Sequence, residues 1–276
     1  MTFNYHRSYR GKIQAAILDW AGTVMDFGCI APAIVFVEVF KRHGVPITME
    51  EARAPMGVHK RVHVQRVLQL DSVSQRWIAK HGKAPNEGDV DRIYADAVPL
   101  QLKCLSDYSA MIPGALDQVK ALRKRGCKIG TTTGYTTEMM KINLRDAAKQ
   151  GYEPDSTVCA SEVPAGRPYP YMCLQNVINL GVSPVEACVK IDDTCPGVEE
   201  GLNAGMWTIG LAVSGNEVGL PLRAWKKLVK AEQARLREGA VRRLRQAGAH
   251  YVVDSIADIM PCVEDIEARL ARGEKP

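Results

Sequence analysis

The four residues Ala15 to Leu18 are all apolar, and the run ends in Asp19, with Gly22 three residues further on. A run this short does not make a helix. An apolar stretch of that length, punctuated by glycine, suits a strand of a parallel sheet with both faces covered. In such sheets ligands bind beyond the carboxyl ends of the strands, where Asp19 would stand. An aspartate after a strand is also a common cap or turn former, so Asp19 alone does not define a site. A second run, Val189-Lys190-Ile191, ends in Asp192-Asp193-Thr194. Two strand ends of one sheet that both carry carboxylates can share a metal ion.

From Ile112 onward, helical and strand patterns alternate. Helices are expected over 115–125, from a Thr136 cap to Gly151, and over 168–180, 198–204 and 256–270. Strands are expected over 127–130, 156–160, 189–191, 206–211 and 250–253, with a polar loop at 131–134. That alternation predicts an α/β fold built on a doubly wound parallel sheet. Between about 30 and 105 the patterning is helical only. Ile30 to Arg42 has Pro32 in its first turn and Gly44 as its stop, Thr48 and Glu51 have capping-box spacing, and Pro55 and Gly57 interrupt before a new helix near Val58. The chain therefore divides into a core, 1–28 and 106–276, and a helical cap, 29–105, inserted after the first strand.

With 276 residues, 46% of them hydrophobic and 24% charged, the chain can bury a sizeable core. Its net charge of +5 is not spread evenly: residues 221–248 carry nine Lys/Arg against Glu232 and Glu238, a local +7, which leaves the rest at −2. The segment reads as a basic amphipathic helix with Leu222, Trp225, Leu228 and Val229 on its other side, a pattern that usually marks a solvated face. No nucleic-acid or membrane partner is expected. Eight cysteines are scattered without a CxxC pair, which suits reduced thiols in the cytoplasm, with Cys127 and Cys188 as small core residues. The stretch MTFNYHRSYRGK lacks an apolar signal core, and no run is long enough to span a membrane, so a cytoplasmic location is expected.

Four places now hold candidate chemistry: Asp19, the Thr131 to Thr133 hydroxyls, Arg167 in its GRP loop, and Asp192-Asp193. Each has an ordinary local use as a cap or turn. Together they match phosphoryl transfer, which needs a carboxylate nucleophile, a hydroxyl and a cation on the phosphoryl oxygens, and carboxylates for magnesium. In chain order, ILDWAGTVMD, IGTTTGY, AGRPYP and VKIDDT resemble the four motifs of the haloacid dehalogenase superfamily, and the helical insertion resembles its small cap domain. The resemblance covers nearly the whole chain. It implies Asp19 as nucleophile, Thr133 and Arg167 on the phosphoryl group, and Mg²⁺ held by Asp19, Asp193 and the main-chain carbonyl of Ala21, with Asp192 in support. Two positions depart from the superfamily's phosphatases: Ala21 stands where they carry an acid that protonates the leaving group, and Gly197 where many carry another acidic residue.

The cap segment PMGVHKRVHV, with DWAGT, CIAP, TTGYT, PAGRPYP and NAGMWT, resembles the superfamily's phosphonatases, whose cap lysine corresponds to Lys60. That implies hydrolysis of the carbon–phosphorus bond of phosphonoacetaldehyde through a lysine Schiff base and an aspartyl-phosphate. It further implies Cys29, Met56 and Gly134 beside the substrate, and a homodimer formed through the cap. Arginine at 167, where many members have lysine, belongs to the same pattern. The chemistry agrees with the resemblance. A carbon leaving group has little use for an oxygen-protonating acid at position 21; it needs an electron sink, which a lysine imine provides. Lys60 must be neutral to attack, and burial beside His59, Arg61, His63 and Arg66 would lower its pKa. His63, three residues on along the same helix face, is expected to carry protons during imine formation. The alternatives are a phosphate-monoester phosphatase or phosphomutase on the same fold, a haloacid dehalogenase, and a non-catalytic binder of anions through 221–248.

Overall fold

A computed structural model of the chain describes residues 8–276; the first seven residues of the N-terminal stretch discussed above lie outside the described residues. The first strand, β1 (Ala15–Leu18), is followed by five helices: α1 (Ile30–Arg42), α2 (Met49–Arg53), α3 (Lys60–Leu68), α4 (Asp71–His81) and α5 (Glu87–Cys104). Helices and strands then alternate as α6 (Ala115–Lys124), β2 (Lys128–Thr133), α7 (Thr137–Ala148), β3 (Ser156–Cys159), α8 (Tyr171–Leu180), β4 (Cys188–Asp192), α9 (Cys195–Asn203) and β5 (Trp207–Leu211). Helices α10 (Leu222–Lys227) and α11 (Lys230–Gln246), strand β6 (Tyr251–Val253) and helix α12 (Met260–Ala271) complete the chain.

All strand pairs are parallel, in the order β3-β2-β1-β4-β5-β6. The chain winds outward from β1 to β3, then returns to β4 on the other side of β1, so the direction of winding reverses between β1 and β4. Leu18 is in register with Thr131 on one side and Ile191 on the other. The residues just beyond them, Asp19, Thr133 and Asp192-Asp193, are therefore brought together at the switch point, where open α/β sheets bind ligands. Apolar side chains cover both faces of the sheet. Leu122, Met140, Ile266 and Leu270 pack on one side, and Cys173, Leu180 and Met206 join Ile17 on the other. Helices α1 to α5 bury a separate apolar core of their own, including Phe36, Phe40, Leu68, Trp77 and Ile93. The two connections to these helices run side by side, with the Asp26 N–H donating to Ala110 O and Met25 bridging Met111.

Several local expectations need correction. Residues 131–133 are not a loop but the last half of β2, as suits β-branched threonines, and Thr131 and Thr133 are in register with Thr157 and Cys159 of β3. The helix expected from 168 starts at Tyr171, because Pro168 and Pro170 hold the preceding residues in a turn. Helix α9 begins three residues early, at Cys195, because Thr194 caps it by accepting from Gly197 N and Pro196 fits its first turn. Helix α3 starts at Lys60 rather than Val58, with His59 as its cap. The closing helix is split: a short 3₁₀ turn at Ile256–Asp258 precedes α12. The basic segment is two helices, not one, and Val229 at their junction is 72% exposed instead of packed. Other expectations are met, including the capping box of Thr48 and Glu51 and the burial of Cys127 and Cys188.

Candidate active site

The switch point lies under the cap, and residues of both parts line one small pocket between them. Asp19, Ala21, Thr133, Gly134, Arg167 and Asp193 line it from the core, and Cys29, Met56, Val58 and Lys60 from the linker and cap. Two glycines permit this close approach. Gly57, in the cap loop, has φ +97 and faces Thr194, whose Oγ1 would lie 2.5 Å from an added Cβ. A Cβ at Gly134 would lie 2.7 Å from the carbonyl oxygen of Val58. Side chains at either position would push the cap loop away from Asp19.

Arg167 is fully enclosed and joins the two parts. Its Nη2 donates to Asp19 Oδ1 at 2.7 Å and to Thr132 Oγ1 at 2.9 Å, while its Nη1 donates to the cap carbonyl of Gly57 at 3.3 Å. Its Nε donates to Glu200 Oε2 at 2.9 Å. Asp192 is held by two cations, with Oδ2 at 3.0 Å from Lys190 Nζ and 3.2 Å from Arg167 Nη2, and its Oδ1 accepts from Thr194 Oγ1 at 2.7 Å. Asp193 accepts from the Asn216 N–H at 2.7 Å.

Oxygens of Asp19, Asp192 and Asp193 lie within 4.8 Å of one another. Burial, followed by repulsion from Asp192, raises the pKa of Asp19 despite Arg167 and Lys190. Burial and repulsion from both neighbouring carboxylates raise Asp193 well above the usual carboxylate range. Asp192 is lowered instead, because Arg167 and Lys190 outweigh its burial. Asp19, Asp192 and Glu200 thus share the buried cations Arg167 and Lys190, Asp193 has no ion pair, and Lys60 stands on the far side of the pocket. Oxygen donors with uncompensated negative charge fit a hard divalent cation, and Asp19 and Asp193 are the pair without a lysine partner. Gly197 also finds its reason here. A Cβ at that position would stand 1.9 Å from Asp192 Cγ, so the Asp192 carboxylate fills the space that an acidic residue at 197 would need.

Lys60, at the first position of α3, is buried against aromatic rings, its Nζ 4.7 Å from the Tyr135 centroid and 5.7 Å from that of Phe36. Burial lowers its pKa to about 8, with Cys29, Asp19 and Asp26 pulling upward and Arg167 downward. The expected cationic neighbours are not what lowers it; Arg61 turns outward to Asp91 and Glu87. His63 is fully buried but does not line the cavity. Its ring stacks on Phe36 at 3.8 Å, Nε2 donates to the Ala52 carbonyl at 2.8 Å, and Nδ1 has no partner. Burial pushes its pKa well below the ordinary histidine value, so the ring is neutral at pH 7.

The sequence reading missed Tyr135, which lines the cavity, although it directly follows Gly134 in the TTGYT motif. It also missed Lys190 and Glu200. Lys190 carried a usable signal, a lone charge inside an apolar strand, whereas Glu200 sits in an unremarkable helical stretch.

Comparison with known proteins bears on this arrangement. The family model described as haloacid dehalogenase-like hydrolase matches residues 13–205. A phosphonoacetaldehyde hydrolase of Nitratidesulfovibrio vulgaris is 50% identical over 270 residues, 98% of this chain and 96% of the relative. Another, of Hahella chejuensis, is 47% identical, covering 100% of this chain and 94% of its own length. Among solved structures, a phosphonoacetaldehyde hydrolase like protein from Oleispira antarctica superposes with a TM-score of 0.97 at 45% identity, covering 100% of both chains.

Proposed function

The chain belongs to the phosphonoacetaldehyde hydrolases among the haloacid dehalogenase-like hydrolases, and from that premise we propose that Lys60 and Asp19 act together to cleave a carbon–phosphorus bond. What carries this reading is one observation: the carboxylate of Asp19 and the depressed amine of Lys60 line the same small pocket, and Ala21, which stands where the superfamily's phosphatases carry an acid, lines it with them.

The neutral Lys60 amine adds to the aldehyde carbon of phosphonoacetaldehyde and, taking up one proton that the final hydrolysis returns, expels water to leave an iminium ion. An oxygen of Asp19 attacks phosphorus. The carbon–phosphorus bond breaks, and its electron pair moves into the carbon skeleton to give an enamine, neutralising the nitrogen. The products at this stage are an aspartyl-phosphate and a lysine-bound enamine. Water hydrolyses the first to phosphate. The enamine takes a proton on carbon, and water then releases acetaldehyde and restores the amine, so the net reaction consumes one water. An acid at position 21 has nothing to protonate, because the leaving electrons end on nitrogen.

Arg167 and Thr133 bind the phosphoryl oxygens, whose charge they offset in a buried pocket. A bound Mg²⁺, held by Asp19, Asp193 and the carbonyl of Ala21, would supply further positive charge against the phosphoryl group. Asp192, already satisfied by Lys190, Arg167 and Thr194, stays out of that shell and fixes the loop. Cys29, Met56 and Gly134 bound the two-carbon group. His63, stacked on Phe36 and bonded to the Ala52 carbonyl, supports α3 and with it the placement of Lys60 instead of exchanging protons with substrate.

The face between α1 and α5, with Ile34, Val37, Met49 and Leu100, is an apolar groove suited to a second copy of the cap, which makes a homodimer. All eight cysteines are free, as in a cytoplasmic enzyme, and none of the described helices is long and apolar enough to cross a membrane.

The test is direct. Phosphate and acetaldehyde should appear in equal amounts from phosphonoacetaldehyde with Mg²⁺ present, and phosphate esters should be poor substrates. Preferential hydrolysis of an ester would establish the phosphatase alternative instead.

A further inference from the structure

Two buried charged side chains take no direct part in this chemistry, Lys190 in β4 and Glu200 in α9. Lys190 Nζ lies 3.3 Å from Glu200 Oε2 and 2.5 Å from Thr132 Oγ1, in addition to its contact with Asp192. Thr132 accepts from Lys190 and Arg167 and donates its own hydroxyl hydrogen to Glu200 Oε2 at 3.1 Å. Glu200 Oε1 has no partner. Helix α9 reaches this depth because residue 201 is glycine; a Cβ there would stand 2.6 Å from Lys190 Cβ. Burying an ionised pair contributes little to stability compared with apolar packing, so its presence beneath the nucleophile calls for another reason.

We infer that Glu200 is a positioning residue for Arg167. Its Oε2 takes the Nε–H edge of the guanidinium, which turns Nη2 toward Asp19 and Nη1 toward the Gly57 carbonyl of the cap loop. Lys190 stands beside the same oxygen of Glu200 and holds it in place from the other side. A lysine at 167 has no Nε–H and no planar fork, so arginine at 167 and glutamate at 200 form one unit. The inference rests on the reading of Arg167 as the phosphoryl-binding group.

The experiment is a double-mutant cycle of the wild type, Glu200→Gln, Arg167→Lys and the double variant, each checked for cooperative unfolding. Phosphate release from phosphonoacetaldehyde should fall about 10- to 100-fold in kcat/KM for Glu200→Gln. In the Arg167→Lys background the same change should alter it less than about threefold, because the partner atom is gone. Where turnover is too slow, inhibition by inorganic phosphate reads the same coupling. Borohydride trapping of Lys60 with acetaldehyde should be unchanged in Glu200→Gln, since no phosphoryl group is involved. If that variant does not fold, Glu200→Asp, which withdraws the carboxylate by one methylene, takes its place in the cycle. Equal losses in both backgrounds, or wild-type activity in a folded Glu200→Gln, would overturn the inference. A wild type that releases no phosphate from phosphonoacetaldehyde refutes the proposed substrate instead, and the cycle is then run with the phosphate ester it does hydrolyse.

Discussion

Replacing Lys60 by methionine should abolish turnover and, at pH 7, make the protein more stable. Methionine keeps the apolar stem and removes the charge. Lys60 is 7% exposed, and burial brings its ammonium from 10.5 to about 8. At 1.36 kcal/mol per pH unit, the folded state carries a penalty of roughly 3 kcal/mol whenever the lysine is protonated in both states. The contacts of Nζ with the Tyr135 and Phe36 rings offset about 0.5 to 2 kcal/mol of it. The net gain on substitution is therefore about 1 to 3 kcal/mol. The sign follows from linkage. The folded pKa is below the unfolded one, so the penalty is full below about pH 8 and fades as pH rises toward 10.5, where the folded state gives up its proton first. Urea unfolding of both proteins at pH 7 and pH 10 reads this directly, and other titrating groups cancel in the difference. The variant's advantage should shrink by roughly 2 kcal/mol between those pH values. An advantage that is absent at pH 7, or flat across the range, would refute the claim that Lys60 is held in a depressed state for nucleophilic use.

Asp19→Asn should reduce phosphate release to background while leaving Lys60 open to trapping by acetaldehyde and borohydride, which separates the two halves of the mechanism. Gly197→Ala forces a methyl group against Asp192, 1.9 Å from its Cγ; a stability loss of about 1 to 3 kcal/mol by urea unfolding and a sharp drop in kcat are expected. Chelation should abolish turnover, and restoring Mg²⁺ at about 100 times its Kd should raise stability by roughly 3 kcal/mol in thermal or urea unfolding, with no such gain in Asp193→Ala.

The parts of the fold that were legible in the sequence are those set by local physics. The four-residue apolar run before Asp19 and the regular helix–strand alternation suffice to indicate a doubly wound sheet, and register then brings Leu18, Thr131 and Ile191 level. Helix ends with a named cap, such as Thr48 with Glu51, also came out correctly. What failed depended on tertiary context. Thr131 to Thr133 look like a polar loop until one sees that they pair with β3 and that Thr131 Oγ1 donates to the Leu18 carbonyl. The single basic helix breaks at Leu228-Val229 for reasons that nothing in its charge pattern marks. At the site, the residues that touch one another across the cavity were found through their motifs. The surroundings of Lys60 were not: helical spacing suggested His59, Arg61 and Arg66 as neighbours, whereas the fold sets Cys29, Asp19, Asp26 and Arg167 around it. Glu200 was invisible because its partner, Arg167, lies on a different element and far away in sequence.

The central claim is that the carbon–phosphorus bond breaks only after Lys60 has become an imine of the substrate. Incubating the enzyme with phosphonoacetaldehyde and borohydride, followed by peptide mass analysis, tests it most directly. The account requires a reduced two-carbon adduct on Lys60, loss of activity in step with its formation, and no adduct in Lys60→Arg. Undiminished turnover in the presence of borohydride with Lys60 unmodified, or the same adduct on another lysine, would contradict it.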